Sequence, residues 1–84
     1  MTTETTNRLT DLLSQIPQNM HSMYQIELIE ERECLVIKHP FWIIFEEQHI
    51  REITIEEVTI TIKCKHLAIV MYKNRVDAQV ILFQ

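Results

Sequence analysis

The chain predicts an α+β fold, in which one N-terminal amphipathic helix is followed by an antiparallel β-meander of about five to six strands, packed as a sheet with the helix on one face. Three observations carry this expectation. Leucine and isoleucine recur at helical spacing before residue 17, and β-branched residues recur at a period near two from residue 24 onward. The segments between the apolar runs are shorter than the dozen or more residues that a parallel crossover requires.

The helix is written in "MTTETTNRLTDLLSQIP". Leu9, Leu12, Leu13 and Ile16 fall at i, i+3, i+4 and i+7, one stripe of a helix. Thr6 or Asn7 offers an N-cap oxygen, Glu4 and Asp11 suit the positive end of the helix dipole, and Pro17 turns Ile16 away from helical geometry. The expected helix therefore runs from about 6 to about 16, after a disordered tail at 1–5. Within "QNMHSMY" a further helical turn fits, because Pro17 suits a first helical position and Met20 and Met23 share a side.

Strands are expected near 24–30, 34–38, 41–47, 52–64 with an interruption allowed, 66–73 and 76–83. The turns between them are "EERE" at 30–33, "KHP" at 38–40 and "KNRVD" at 73–77. The clearest alternation is "EVTITIKC", where Val58, Ile60, Ile62 and Cys64 share one face and Thr59, Thr61 and Lys63 the other. Glycine is absent, so positive-φ positions must fall to other residues, with Asn19 and Asn74 the best suited by type.

Composition sets outer bounds. The chain has 84 residues, 46% hydrophobic and 24% charged, with 13 isoleucines, which suits a single small domain over 1–84 with an Ile-rich core and excludes a disordered or low-complexity class. Two cysteines make no disulfide framework and no secretory leader is evident, so the expected setting is cytoplasmic, with reduced thiols. The longest apolar runs, Phe41 to Phe45 and Leu67 to Tyr72, fall far short of the roughly 18–20 residues of a membrane span.

Those runs carry the functional expectation. "FWIIF", "LAIVMY" and "VILF" are apolar on both faces, and a helix of about three turns, about 15 Å long, covers two or three strands of one face only. The surplus must be covered by the sheet folding on itself, by a second chain or by a partner. An interface through Trp42, Ile44, Ile69, Met71, Ile81 and Phe83 is therefore expected, with the chain itself, as a homodimer, and another protein as partners.

Chemistry is thinly supported. Cys34, His39, Cys64 and His66 are the residue types of a zinc site, but they lack the Cys-x2-4-Cys spacing, and core packing explains the cysteines better. Glu46, Glu47 and His49 have no nucleophile beside them in sequence, and nothing glycine-rich is available to cradle a phosphate. No catalytic residue, metal or cofactor is expected. Charge is uneven: residues 27–57 carry nine acids and three bases, while Lys63, Lys65, His66, Lys73 and Arg75 lie in a segment without acids. Those five are the contacts a nucleic-acid-binding regulator would use, although a net charge of −4 opposes binding to phosphate. The leading reading is a small non-catalytic interaction or regulatory module that buries an apolar sheet face or strand edge.

Overall fold

The computed structural model describes residues 3–83. Helix α1 (Thr3–Gln15) and the short helix α2 (Gln18–Met23) precede seven strands. The first three, β1 (Ile26–Ile29), β2 (Cys34–Ile37) and β3 (Ile43–Glu46), form one antiparallel sheet in that order. The other four, β4 (Ile50–Ile55), β5 (Thr59–Cys64), β6 (Leu67–Tyr72) and β7 (Ala78–Leu82), form a second. The architecture is α+β, as the residue pattern implies. No helix among the described residues is long and apolar enough to cross a membrane.

The expected single meander is corrected to two sheets. A one-turn 3-10 helix, Glu47–His49, follows β3 and carries the chain out of the first sheet, so that β4 pairs with β5 and leaves β3 an edge strand. The stretch expected near 52–64 with an interruption allowed is two strands, Ile50–Ile55 and Thr59–Cys64, separated by the turn at 56–58. Helix α1 already runs through Thr6 and Asn7, so neither is its N-cap, and residues 3–5 are helical rather than tail; Met1 and Thr2 lie outside the described residues.

The division answers the surplus of apolar surface. Cross-strand partners share a face, so Ile26, Leu28, Leu35, Ile37, Ile43 and Phe45 project from one side of the first sheet. Ile53, Ile60, Ile62, Leu67, Ile69, Met71 and Ala78 project from one side of the second. All of them join one core cluster with Leu9, Ile16, Met20 and Tyr24. In α1, Leu9 and Ile16 take the buried centre of the stripe, and Leu12 and Leu13 flank it half-buried.

Tyr24 ties the two ends of the fold together. Its side chain is fully buried, and its hydroxyl lies 2.9 Å from the Tyr72 carbonyl, 2.8 Å from that of Arg75 and 2.9 Å from that of Asp77. The Asp77 N–H donates back to the same oxygen at 3.2 Å. One hydroxyl proton is shared among three carbonyls, which holds the β6–β7 turn against the start of β1. The Tyr24 main-chain carbonyl also accepts from Lys38 (3.2 Å) and His39 (3.1 Å), closing the open end of the β1–β2 pair.

Positive φ falls at Gln25 (52°) and Glu33 (53°), not at Asn19, which is helical, or at Asn74. Each follows from its turn. Glu33 ends a 3-10 turn by donating its N–H to the Glu30 carbonyl, and Gln25 lies between Tyr24 and the start of β1. A left-handed residue other than glycine costs roughly 1–2 kcal/mol. Exposed Gln25 is therefore a position where glycine gains more in the folded state than it loses in unfolded-chain entropy. Gln25→Gly is expected to raise the unfolding free energy by about 0.5 kcal/mol, read from denaturant melts; a loss of 0.5 kcal/mol or more would place the left-handed residue elsewhere.

Candidate interaction surface

Ten large apolar side chains are exposed among the described residues, and eight of them, Phe41, Trp42, Ile44, Val76, Val80, Ile81, Leu82 and Phe83, belong to β3, to β7 or to their immediate flanks. On β3 the cause is register. Ile44 stands opposite Val36 and Glu46 opposite Cys34, and this face of the sheet is turned from the core. Val36 and Cys34 are shielded on the central strand, while Ile44 on the edge is 53% exposed. Trp42, just ahead of the strand, is 67% exposed. Lys38 reaches over the Trp42 ring at 5.7 Å and pairs with Glu27 at 2.5 Å, which places a cation–π contact and an ion pair at the rim of this apolar patch.

On β7 the cause is position. The strand has a neighbour on one side only, and of its five residues only Ala78 is buried. Val80 and Leu82 continue the inward face beyond the first sheet's cover, while Ile81 and Phe83 lie on the outward face, where Lys63 approaches the Phe83 ring at 5.8 Å. The two apolar regions meet at a cleft of about 130 Å³ lined by Ile44, Glu46, Cys64, His66 and Leu67 among others. Leu67 is the cross-strand partner of Leu82, so apolar surface continues from Ile44 across the cleft to β7.

Four of the six residues expected at an interface are thus exposed: Trp42 and Ile44 on the first sheet, Ile81 and Phe83 on the second. The other two are placed elsewhere. Ile69 and Met71 are fully buried on the inward face, opposite in sense to Ile81 and Phe83, because β6 is an interior strand whose inward residues meet the first sheet and the helices. Sequence alternation pairs these residues with a second apolar face but gives no sign of which face is inward.

The basic residues are not gathered. Lys65 and His66 form the β5–β6 turn with Lys63 just before it, whereas Lys73 and Arg75 lie in the β6–β7 turn at the other end of β6. Six strand residues separate the two groups, about 20 Å. Arg75 is further engaged, 3.4 Å from Asp77 and stacked 4.2 Å from the Tyr72 ring centroid.

The cleft holds one acid–imidazole pair, His49 Nδ1 to Glu46 Oε2 at 3.1 Å, and it brings Cys64 to the same wall, a neighbour the sequence does not indicate. Burial pushes the Cys64 thiol above its ordinary range, and the nearby Arg51 guanidinium opposes this only in part. Burial likewise raises Cys34, with Arg32 pulling down and Glu46 pushing up. Both sulfurs therefore remain thiols at neutral pH, whereas nucleophilic attack needs thiolate. Cys34 and Cys64 sit on different sheets, and no group of three or more His, Cys, Asp or Glu among the described residues is arranged to hold a metal ion. Native protein at pH 7 should react with a thiol-directed reagent at least about tenfold more slowly than unfolded protein at both positions; rapid native labelling of Cys64 would return it to consideration as a reactive group.

What remains is an apolar surface on two open sheet edges rather than a pocket of convergent polar groups. No protein-family model matches the chain, and neither curated proteins nor solved structures give a significant match to it.

Proposed function

We propose that the protein is a non-catalytic interaction module that buries the Trp42–Ile44 surface against another protein. The observation that carries the reading is the exposure of these two side chains, 67% for Trp42 just ahead of the edge strand β3 and 53% for Ile44 within it, where Ile44 also lines the cleft. An indole left in water forfeits much of the apolar burial that makes tryptophan valuable, and aromatic anchors are enriched at the centres of protein interfaces. The flanking Lys38 and Glu27 supply a polar rim.

The test is affinity capture from native extract with wild-type protein, Trp42→Ser and Ile44→Glu. Both substitutions fall at exposed positions, so the fold should hold, as circular dichroism would verify. A partner retained by the wild type in high salt and lost with both variants supports the reading, because apolar association is nearly indifferent to ionic strength. An identical captured set for all three proteins would sink it. Nuclease-sensitive material released by moderate salt would favour phosphate recognition instead.

A further inference from the structure

We infer that two copies of this chain pair through the free edge of β7, antiparallel and centred on Val80, joining their four-stranded sheets into one eight-stranded sheet. The inference rests on the interaction-module reading and names the occupant of one of its two surfaces.

The phase of the β6–β7 ladder decides which groups are available. Tyr72 N–H bonds to the Asp77 carbonyl at one end of the pair and Phe83 N–H to the His66 carbonyl at the other. In an antiparallel ladder, hydrogen-bonded pairs alternate with pairs that do not exchange bonds. Asp77, Gln79, Ile81 and Phe83 therefore direct their main-chain groups toward β6, and Ala78, Val80 and Leu82 direct theirs to the open side.

Three residues presenting N–H and C=O on one edge are a template for another strand. A two-fold axis through Val80 sets Val80 opposite its own copy and Ala78 opposite Leu82 of the second chain. Every outward N–H then meets an outward carbonyl, with no register slip needed to make both chains equivalent. The side chains agree with this register. On the inward face the smallest residue of the strand, Ala78, lies opposite its most exposed one, Leu82 at 75%, and on the outward face Ile81 lies opposite Gln79.

The character of the strand favours an extended partner over a helix. Val80 and Leu82 are exposed on one face and Ile81 and Phe83 on the other, and only a strand alongside gives neighbours to both faces at once. A second copy is favoured over a foreign strand because residues 78–83, "AQVILF", carry no charge, so that self-pairing sets no like charges together. Lysine, proline and bulges are the devices that usually blunt an exposed edge, and β7 has none of them.

Sedimentation over low to high micromolar concentration should give twice the chain mass. Val80→Lys and Val80→Glu each place two like charges across the axis and should weaken the dimer at least about a hundredfold. An equimolar mixture of the two variants should restore it, since position 80 then meets its opposite charge. A monomeric wild type, a dimer indifferent to both substitutions, or a mixture that fails to reassociate would each overturn the proposal.

Should a charge variant fail to fold, hydrogen exchange on the wild type decides. Protection of the Val80 and Leu82 amides should rise with protein concentration while that of the Ile69 amide stays constant, and fast, concentration-independent exchange at 80 and 82 rejects the pairing. Ile44→Glu should leave the dimer intact. A monomeric wild type that still captures a partner through Trp42 would defeat this pairing and spare the interaction reading, and a dimer without such a partner would do the reverse.

Discussion

Tyr24→Ala is expected to lower the unfolding free energy by about 3–5 kcal/mol, the usual cost of deleting a large aromatic side chain from a core. The ring is fully buried and its hydroxyl contacts three carbonyls and one N–H of the β6–β7 turn, so truncation opens a cavity and also strips the turn of its partner. Domains of this size hold only about 5–15 kcal/mol in total. Tyr24→Phe separates the two contributions. It retains the packing, takes the Tyr24 hydroxyl partner from the Asp77 N–H and from the Tyr72 and Arg75 carbonyls, and should cost about 1–3 kcal/mol. Guanidinium melts of the two variants read both values, and a Tyr24→Phe protein as stable as wild type would show that the hydroxyl contacts carry no stability.

Ile69→Ala is expected to cost about 2–5 kcal/mol, whereas Ile81→Ala should cost less than about 1 kcal/mol in protein diluted to monomer. The two isoleucines lie on adjacent strands. They differ in face: Ile69 is fully buried between Ile62 and Val80, while Ile81 is 47% exposed beside Ala68. Chemical denaturation of both variants at low concentration checks the contrast. Equal losses would mean that the outward face of the second sheet is covered in the isolated chain.

That pair of residues also marks how far the sequence was legible. Period-two alternation in Val58 to Cys64 correctly separates Ile60, Ile62 and Cys64 from Thr59, Thr61 and Lys63, because the wet face there is polar. In "LAIVMY" and "VILF" both faces are apolar, so the pattern carries no sign of which is inward, and Ile69 and Met71 are expected at an interface when they are core. The division into two sheets is equally hidden. It depends on a single 3-10 turn at Glu47–His49, without glycine or proline to announce it, and on Arg8, which reaches from α1 to the Glu47 side chain and donates to the Ile50 carbonyl at 3.0 Å. Long-range contacts of that kind have no local signature. The stripe of α1 is readable because helical spacing alone sets it, but its start at Thr3 is not. Of the exposed apolar surface, Trp42 and Ile44 follow from strand alternation, whereas the cleft that joins Ile44 to Leu67 exists only once β3 is an edge strand.

The other margin of the four-stranded sheet is built differently. Between Ile50 and Glu52 the register of β4 shifts by one residue against β5, so Arg51 is an extra residue in a bulge. A bulge bends and twists its strand, and charged neighbours discourage a second strand from aligning there. Arg51, Glu52 and, in the turn that follows, Glu56 and Glu57 are all exposed. The sheet thus has one receptive margin and one guarded margin, and growth by strand addition can proceed once. If two chains pair at β7, the joined sheet carries a bulged β4 at each of its margins, and strand addition to that sheet stops at two chains instead of extending into a filament. Concentrated protein should accordingly remain clear and free of fibrils, and removing Arg51 to straighten β4 is the change that should let it polymerise.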